Sequence, residues 1–205
     1  MNENYSNKCE EILNSLKQRK KLLLHSCCAP CSSYVITYLT NYFDITILYY
    51  NPNIYPQEEY EKRKEEQIRL IANLKTINNV KILDCDYDNN IYNSLIKGFE
   101  KEPERGNRCT ICFKMRMEKT ARLAAEKKYD YFCTTLSVSP YKNSHLINEI
   151  GKKLEETYKI KWLYSDFKKK DGYKKSIELS KEYKLYRQDY CGCIYSKPKQ
   201  LHISN

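Results

Sequence analysis

The stretch KLLLHSCCAPCSSYV, residues 21–35, runs an aliphatic segment straight into three cysteines and then into a second patterned segment. Residues 21–26 read as a buried strand. Tyr34, Val35, Tyr38, Leu39 and Tyr42 then recur at roughly helical spacing. Pro30 suits the first turn of that helix, where its missing N–H costs nothing. Cys27, Cys28 and Cys31 therefore stand at the carboxyl end of a strand, where it feeds a helix.

Outward from this point the same alternation repeats. Residues 10–19 predict a short helix, 44–56 a strand breaking at Pro52 and Pro56, and 80–88 a third strand. Residues 58–75 between them predict a helix whose apolar face carries Tyr60, Ile68, Ile71, Ala72 and Leu74. After an irregular stretch come a helix over 114–128, a strand over 129–138, a helix over 143–158, a strand over 159–167 and a helix over 171–184. This order predicts an α/β fold with a mostly parallel sheet flanked by helices. One domain spans residues 1–205, with 1–20 as a helical lead-in and 164–196 as a basic segment. Ligands of such folds gather at the carboxyl ends of strands, here Cys27, Cys28, the acids Asp84 and Asp86, and the loop TTLSVSP.

The chain carries a formal charge of +10, from 36 Lys and Arg against 26 Asp and Glu. An excess of this size points to a polyanionic partner. The amino terminus is polar and no apolar run approaches the length of a membrane span, so the expectation is a cytoplasmic protein without a membrane partner. In that compartment ten cysteines call for metal ligation or redox chemistry rather than structural disulfides.

Seven of the ten fall into three groups: Cys27, Cys28 and Cys31; Cys109 and Cys112; and Cys191 and Cys193. The pair Cys109 and Cys112 is a CxxC, able to place two thiolates on one metal or cluster. Adjacent side chains such as Cys27 and Cys28 diverge, which suits the separate corners of a cubane better than one small zinc ion. Together these four match the thiolate set of a [4Fe-4S] cluster, with tetrahedral zinc as the alternative. Cys31 is left over, with a second iron, an exchangeable ligand position or a substrate contact as its open roles. Cys191 and Cys193 flank Gly192, and so tiny a loop gains little from cross-linking, which favours a redox role over a staple. Cys85 and Cys133 read as small core residues, Cys9 as a lone thiol near a mobile end, and His145 as a surface residue opening a helix. His25 is either a satisfied core histidine or part of the site. Lys168, Lys169, Lys170, Lys174 and Lys175, with Arg187 just before the CxC, read as a patch facing the polyanion. Asp84, Asp86 and Asp166 are candidate proton donors.

The blocks LLLHSCCAPCSSYV, YNPNIYPQEEYEKR, GNRCTICFKMRMEKTA, FCTTLSVSPYKN and DFKKKDGYKKSIELSKEYKLYRQDYCGCIYS, taken in order, resemble the QueH family of non-cobalamin epoxyqueuosine reductases. The resemblance runs from about Lys21 to Ser196 without a departure at the key positions. It implies a fold of the adenine-nucleotide-hydrolase type, Rossmann-like, with cysteines where related tRNA-thiolating enzymes carry a glycine loop. It implies removal of the epoxide oxygen of epoxyqueuosine in tRNA, at the wobble position, with two electrons and two protons. It implies cluster ligation by Cys27, Cys28, Cys109 and Cys112, a redox-active disulfide between Cys191 and Cys193, and a further iron beside the cluster near Cys31. The external electron donor is not implied. Two rival classes stand beside it: an ATP-dependent thiolating enzyme, which needs a phosphate-binding loop after the first strand, and a zinc-stabilised RNA-binding module without catalysis.

Overall fold

The structure, a computed structural model, describes residues 3–197. Helix α1 (Tyr5–Ser15) leads into strand β1 (Lys20–His25), helix α2 (Ala29–Leu39) and strand β2 (Phe43–Leu48). Helix α3 (Gln57–Asn73), strand β3 (Lys81–Leu83), helix α4 (Asn89–Leu95) and helix α5 (Asn107–Glu126) follow. Strand β4 (Tyr131–Thr134), helix α6 (Ser144–Tyr158), strand β5 (Lys161–Trp162) and helix α7 (Gly172–Glu182) complete the core. Short 3-10 turns follow β4, at Thr135–Val138, and lie near the carboxyl terminus, at Ile194–Ser196.

The five strands form one sheet in the order β3-β2-β1-β4-β5, and every pairing is parallel. The order reverses between β1 and β4, where His25 lies in register with Thr134. That reversal opens a crevice at the carboxyl ends of the two strands, the usual ligand position of such sheets. Leu22, Leu23 and Leu24 of the central strand are fully buried, as a strand covered on both faces requires. On the helical layers, α2 packs against α3 and α7, and α5 against α6.

Several expectations shift. The strands are shorter than their apolar runs: β2 ends at Leu48, and β4 ends at Thr134, where the 3-10 turn Thr135–Val138 begins. Helix α5 starts at Asn107, not near Lys114, which puts Cys109 and Cys112 on a helix rather than in a loop. Glu102 makes this start possible by accepting from the Asn107 N–H at 2.8 Å, in the manner of a cap supplied from upstream. The buried face of α3 is Tyr60, Arg63, Gln67 and Leu70, whereas Ile68 is exposed. Cys9, a thiol without a disulfide partner, is buried in the core rather than at a mobile end. Cys133 is a core residue, and Cys85, just past β3, is half-buried.

Candidate active site at the sheet's switch point

Cys28 is the N-cap of α2 in extended conformation, so Cys27, Cys28 and Cys31 surround the first turn of that helix. Their three sulfurs lie within 4.8 Å of one another. The geometry thus groups Cys31 with Cys27 and Cys28. A polar net fixes the turn. The Cys27 N–H donates to Thr135 Oγ1 at 3.1 Å, and the Thr135 hydroxyl donates to Cys27 Sγ at 3.3 Å. Gln67 Oε1 accepts from Ser26 at 2.6 Å and from Ser32 at 2.9 Å, and the Asn51 amide donates to the Ser26 carbonyl at 2.8 Å. This is why α3 buries a glutamine.

Three thiols this close cannot all ionise. The neighbouring thiols of Cys27 and Cys31 donate to Cys28 and hold it well below the ordinary range. Those same contacts push Cys31 well above it. A helix N-terminus also favours anionic sulfur. A bound metal would take the place of the shared protons.

Cys109 and Cys112 face inward from the first turns of α5. Cys109 Sγ accepts the Arg105 N–H at 3.3 Å, and Cys112 is buried against Tyr92, Ile96 and Cys193. Burial pushes the Cys112 thiol up to about 12, against the opposing field of Arg116. Arg116, one turn on, is only 2% exposed. It donates to the Cys112 carbonyl and to Asn51 Oδ1, both at 3.2 Å, while its Nη2 has no partner. A buried guanidinium needs a compensating anion. Burial opposes the Arg116 charge, and the groups that sustain it are thiols, Cys112 first, then Cys191 and Cys27. Thiolates of a metal centre meet that need, so the donor set and the buried cation both fit a bound metal.

The carboxyl-terminal strap, residues 185–197, closes the site. Tyr186 N–H donates to Glu66 at 2.6 Å, Tyr190 packs on the Arg63 guanidinium at 4.9 Å, and the Tyr55 N–H donates to the Gly192 carbonyl at 2.9 Å. Gly192 has φ +101°, and a Cβ there would lie 2.8 Å from Ile54 Cγ1 and 2.9 Å from Arg63 Nη1. Only glycine suits that backbone and that clearance. The strap brings Cys191 to the wall of a cleft of about 370 Å³ that Cys27, Cys28 and Cys31 also line. Cys193 and Cys191 together line a smaller space beside it, with Cys109, Cys112, Arg116 and Tyr92. The two spaces share Arg116, Lys142 and Cys191, with Cys27, Cys28 and Cys31 on one and Cys109, Cys112 and Cys193 on the other.

Other candidates resolve differently. His25 is fully buried between Thr134 Oγ1 at 2.7 Å and the Tyr50 carbonyl at 3.1 Å. Burial, reinforced by Arg116, drives it down to about 3, so it is a neutral structural residue. His145 is exposed, at the start of α6. The side chain of Asp84 is 80% exposed and pairs with Lys64, and Asp166 pairs with Lys168; neither lines the cleft. Lys170 pairs with Glu10. Lys169, Lys170 and Lys175 line a second cavity, between α1, α2 and α7, whereas Arg187 lines the cysteine cleft. Lys142 and Arg116 were not among the sequence candidates. Their signal is faint, since one follows the TTLSVSP loop and the other is an ordinary-looking basic residue four positions after Cys112.

Among the described residues, no helix is long and apolar enough to cross a membrane. The family model for the epoxyqueuosine reductase QueH matches residues 22–199. A Streptococcus pyogenes protein named epoxyqueuosine reductase QueH is 46% identical over 184 residues, covering 89% of this chain and 72% of its own. Proteins of that name from Staphylococcus epidermidis and Thermotoga maritima are 44% and 36% identical, over 96% and 85% of this chain and 86% and 89% of theirs. With the matched region holding every grouped cysteine, the chain belongs to the epoxyqueuosine reductase QueH family.

Proposed function

We propose that the cysteine cleft is the reduction site, with Cys27, Cys28, Cys109 and Cys112 holding a [4Fe-4S] cluster, Cys31 beside it for a further iron, and Cys191 and Cys193 as a redox dithiol. The chain is an oxidoreductase that reduces epoxyqueuosine to queuosine in tRNA. The observation that carries the assignment of the site is three sulfurs inside 4.8 Å on a cleft that Cys191 shares, beside a smaller space lined by Cys109, Cys112 and Cys193. When bound, the cluster supplies one-electron transfer. The dithiol stores the two electrons and two protons that loss of an epoxide oxygen as water requires. Arg116 balances the negative charge of the thiolates from below. Anaerobic reconstitution followed by assay on epoxyqueuosine-containing tRNA with a chemical reductant tests this reading. A brown protein holding iron and sulfide that yields queuosine supports it. A colourless zinc protein without turnover would leave the RNA-binding module as the better account.

The polyanionic substrate reaches the cleft across a cationic and aromatic rim. Tyr141 lines the cleft mouth, is 61% exposed and has the Arg105 guanidinium 5.7 Å from its ring centre. Exposed Tyr195, next to the cleft-lining Ser196, is backed by Arg108 at 4.9 Å. Such platforms stack unpaired bases, and Arg187 adds charge at the cleft wall. The lysines Lys168, Lys169, Lys170, Lys174 and Lys175 form the outlying part of this surface. Two of them already answer a carboxylate, so neutralising Lys168, Lys169 and Lys170 together is expected to weaken tRNA affinity modestly and to lower its salt dependence by roughly one to two released counterions. Tyr141→Ala is expected to weaken affinity by about tenfold, within the ~1–3 kcal/mol of one base–aromatic stack, with the salt dependence unchanged. Fluorescence anisotropy of a labelled anticodon stem-loop across a salt series measures both. Unchanged affinity in both variants contradicts this rim.

A further inference from the structure

The two thiols of the CxC occupy different surroundings. Cys191 is half-buried on the cleft wall, and its Sγ accepts a hydrogen bond from Lys142 Nζ at 3.2 Å. Cys193 is 7% exposed, lies outside the cleft lining, and meets the Tyr92 hydroxyl at 3.2 Å. Its carbonyl is fixed by the Ser196 N–H at 2.9 Å and the Ser196 hydroxyl at 2.8 Å. Gly192 between them is pinned to Tyr55, so the two sulfurs cannot trade places by local rotation.

Lys142 is a poor candidate for an ordinary surface lysine. Its side chain is 11% exposed and rests over the Phe113 ring at 5.6 Å. Among the described residues its carboxylate neighbour is Glu104, at 3.8 Å and half exposed. Burial opposes its charge, and Cys191 is what sustains it. A buried ammonium whose nearest acceptor is a sulfur 3.2 Å away fixes that sulfur in place and sets a positive charge beside it.

We infer that Lys142 is a positioning residue for Cys191, and that the pair is asymmetric: Cys191 exchanges with species in the cleft, while Cys193 is the inner sulfur that closes the disulfide. The inference rests on the reading of Cys191 and Cys193 as the redox dithiol. On oxidation the Cys191–Cys193 bond forms and two electrons and two protons leave. They convert the epoxide to an alkene and one water. Regeneration uses a thiol-class reductant. Its sulfur bonds to Cys191, the disulfide breaks, and Cys193 departs and takes up a proton. A second reductant sulfur then displaces Cys191, which takes up the other.

The test is anaerobic alkylation of the reduced, iron-loaded protein with iodoacetamide, read by peptide mass analysis at each cysteine. Cys191 is expected to react about tenfold faster than Cys193, in keeping with its exposure and cationic neighbour. Lys142→Met should cut the Cys191 rate about tenfold with iron content unchanged, and Lys142→Arg should restore most of it. Lys142→Gln, which keeps reach without charge, replaces the methionine variant if that one does not fold. Equal rates at the two thiols in the wild type, or a Cys191 rate indifferent to loss of the Lys142 charge, overturns the inference. Thiol trapping after a single turnover separates the two levels. Free thiols after product formation defeat the redox-dithiol reading, and with it the exchange roles. A disulfide formed on turnover without any alkylation preference defeats the asymmetry alone.

Discussion

Cys28→Ala is expected to abolish stable iron binding, and Cys27→Ala, Cys109→Ala and Cys112→Ala to do so individually. Cys28 is buried at the N-terminus of α2, where it holds the anionic share among three neighbouring thiols. Removing it takes away the sulfur most ready to meet a metal and leaves Arg116 less well compensated. Cys112 is also buried, against Tyr92, Ile96 and Cys193. Cys31→Ser is the informative contrast, because the Cys31 sulfur also lies within 4.8 Å of those of Cys27 and Cys28. With the four-thiolate assignment, that variant keeps the cluster and loses at most the extra iron. Iron and sulfide analysis with visible absorption after anaerobic reconstitution measures all five variants. Full iron in each of the four alanine variants contradicts the assignment, and loss of the cluster in Cys31→Ser would move the ligand set to include Cys31.

Cys191→Ser and Cys193→Ser should behave oppositely, keeping the iron and losing the reaction. Neither belongs to the proposed ligand set, and a serine preserves the turn that the strap makes around Gly192. Without a disulfide partner the dithiol cannot deliver its electrons. A loss of at least a hundredfold in single-turnover rate is expected, or about 2.7 kcal/mol of barrier. Gly192→Ala should approach the same loss with both thiols present, since its Cβ would press on Ile54 and Arg63 at a positive φ. Single-turnover assays alongside iron content settle the comparison. Serine variants that lose the iron would make these cysteines ligands instead.

The alternation of strand and helix, the thiols at the end of β1 and the three cysteine groups were legible because each rests on local pattern. The start of α5 was not, because EKEPERGNRC has no apolar periodicity and its cap, Glu102, reaches in from a preceding turn. Helix α4 escaped for a similar reason: it has seven residues, and only Tyr92 among them is buried. Arg63, Gln67 and Arg116 broke the rule that polar residues mark the solvent face. They are buried because the strap, the thiol turn and the thiolates need them, which is information held in other segments. Lys142 was missed on the same ground, since its partner Cys191 is remote in sequence.

The strap's position has a consequence for how the protein is made. A ribosome releases β1 and its thiols first, then α5, and the strap last. The central strand pairs early with β2, but its second neighbour, β4, and the sulfurs of α5 arrive only after more than half the chain has emerged. Contacts of such long sequence separation form late. The nascent chain therefore passes through a stage in which the first thiols are assembled without their lid. Docking of the strap on Arg63 and Tyr55 then closes over them.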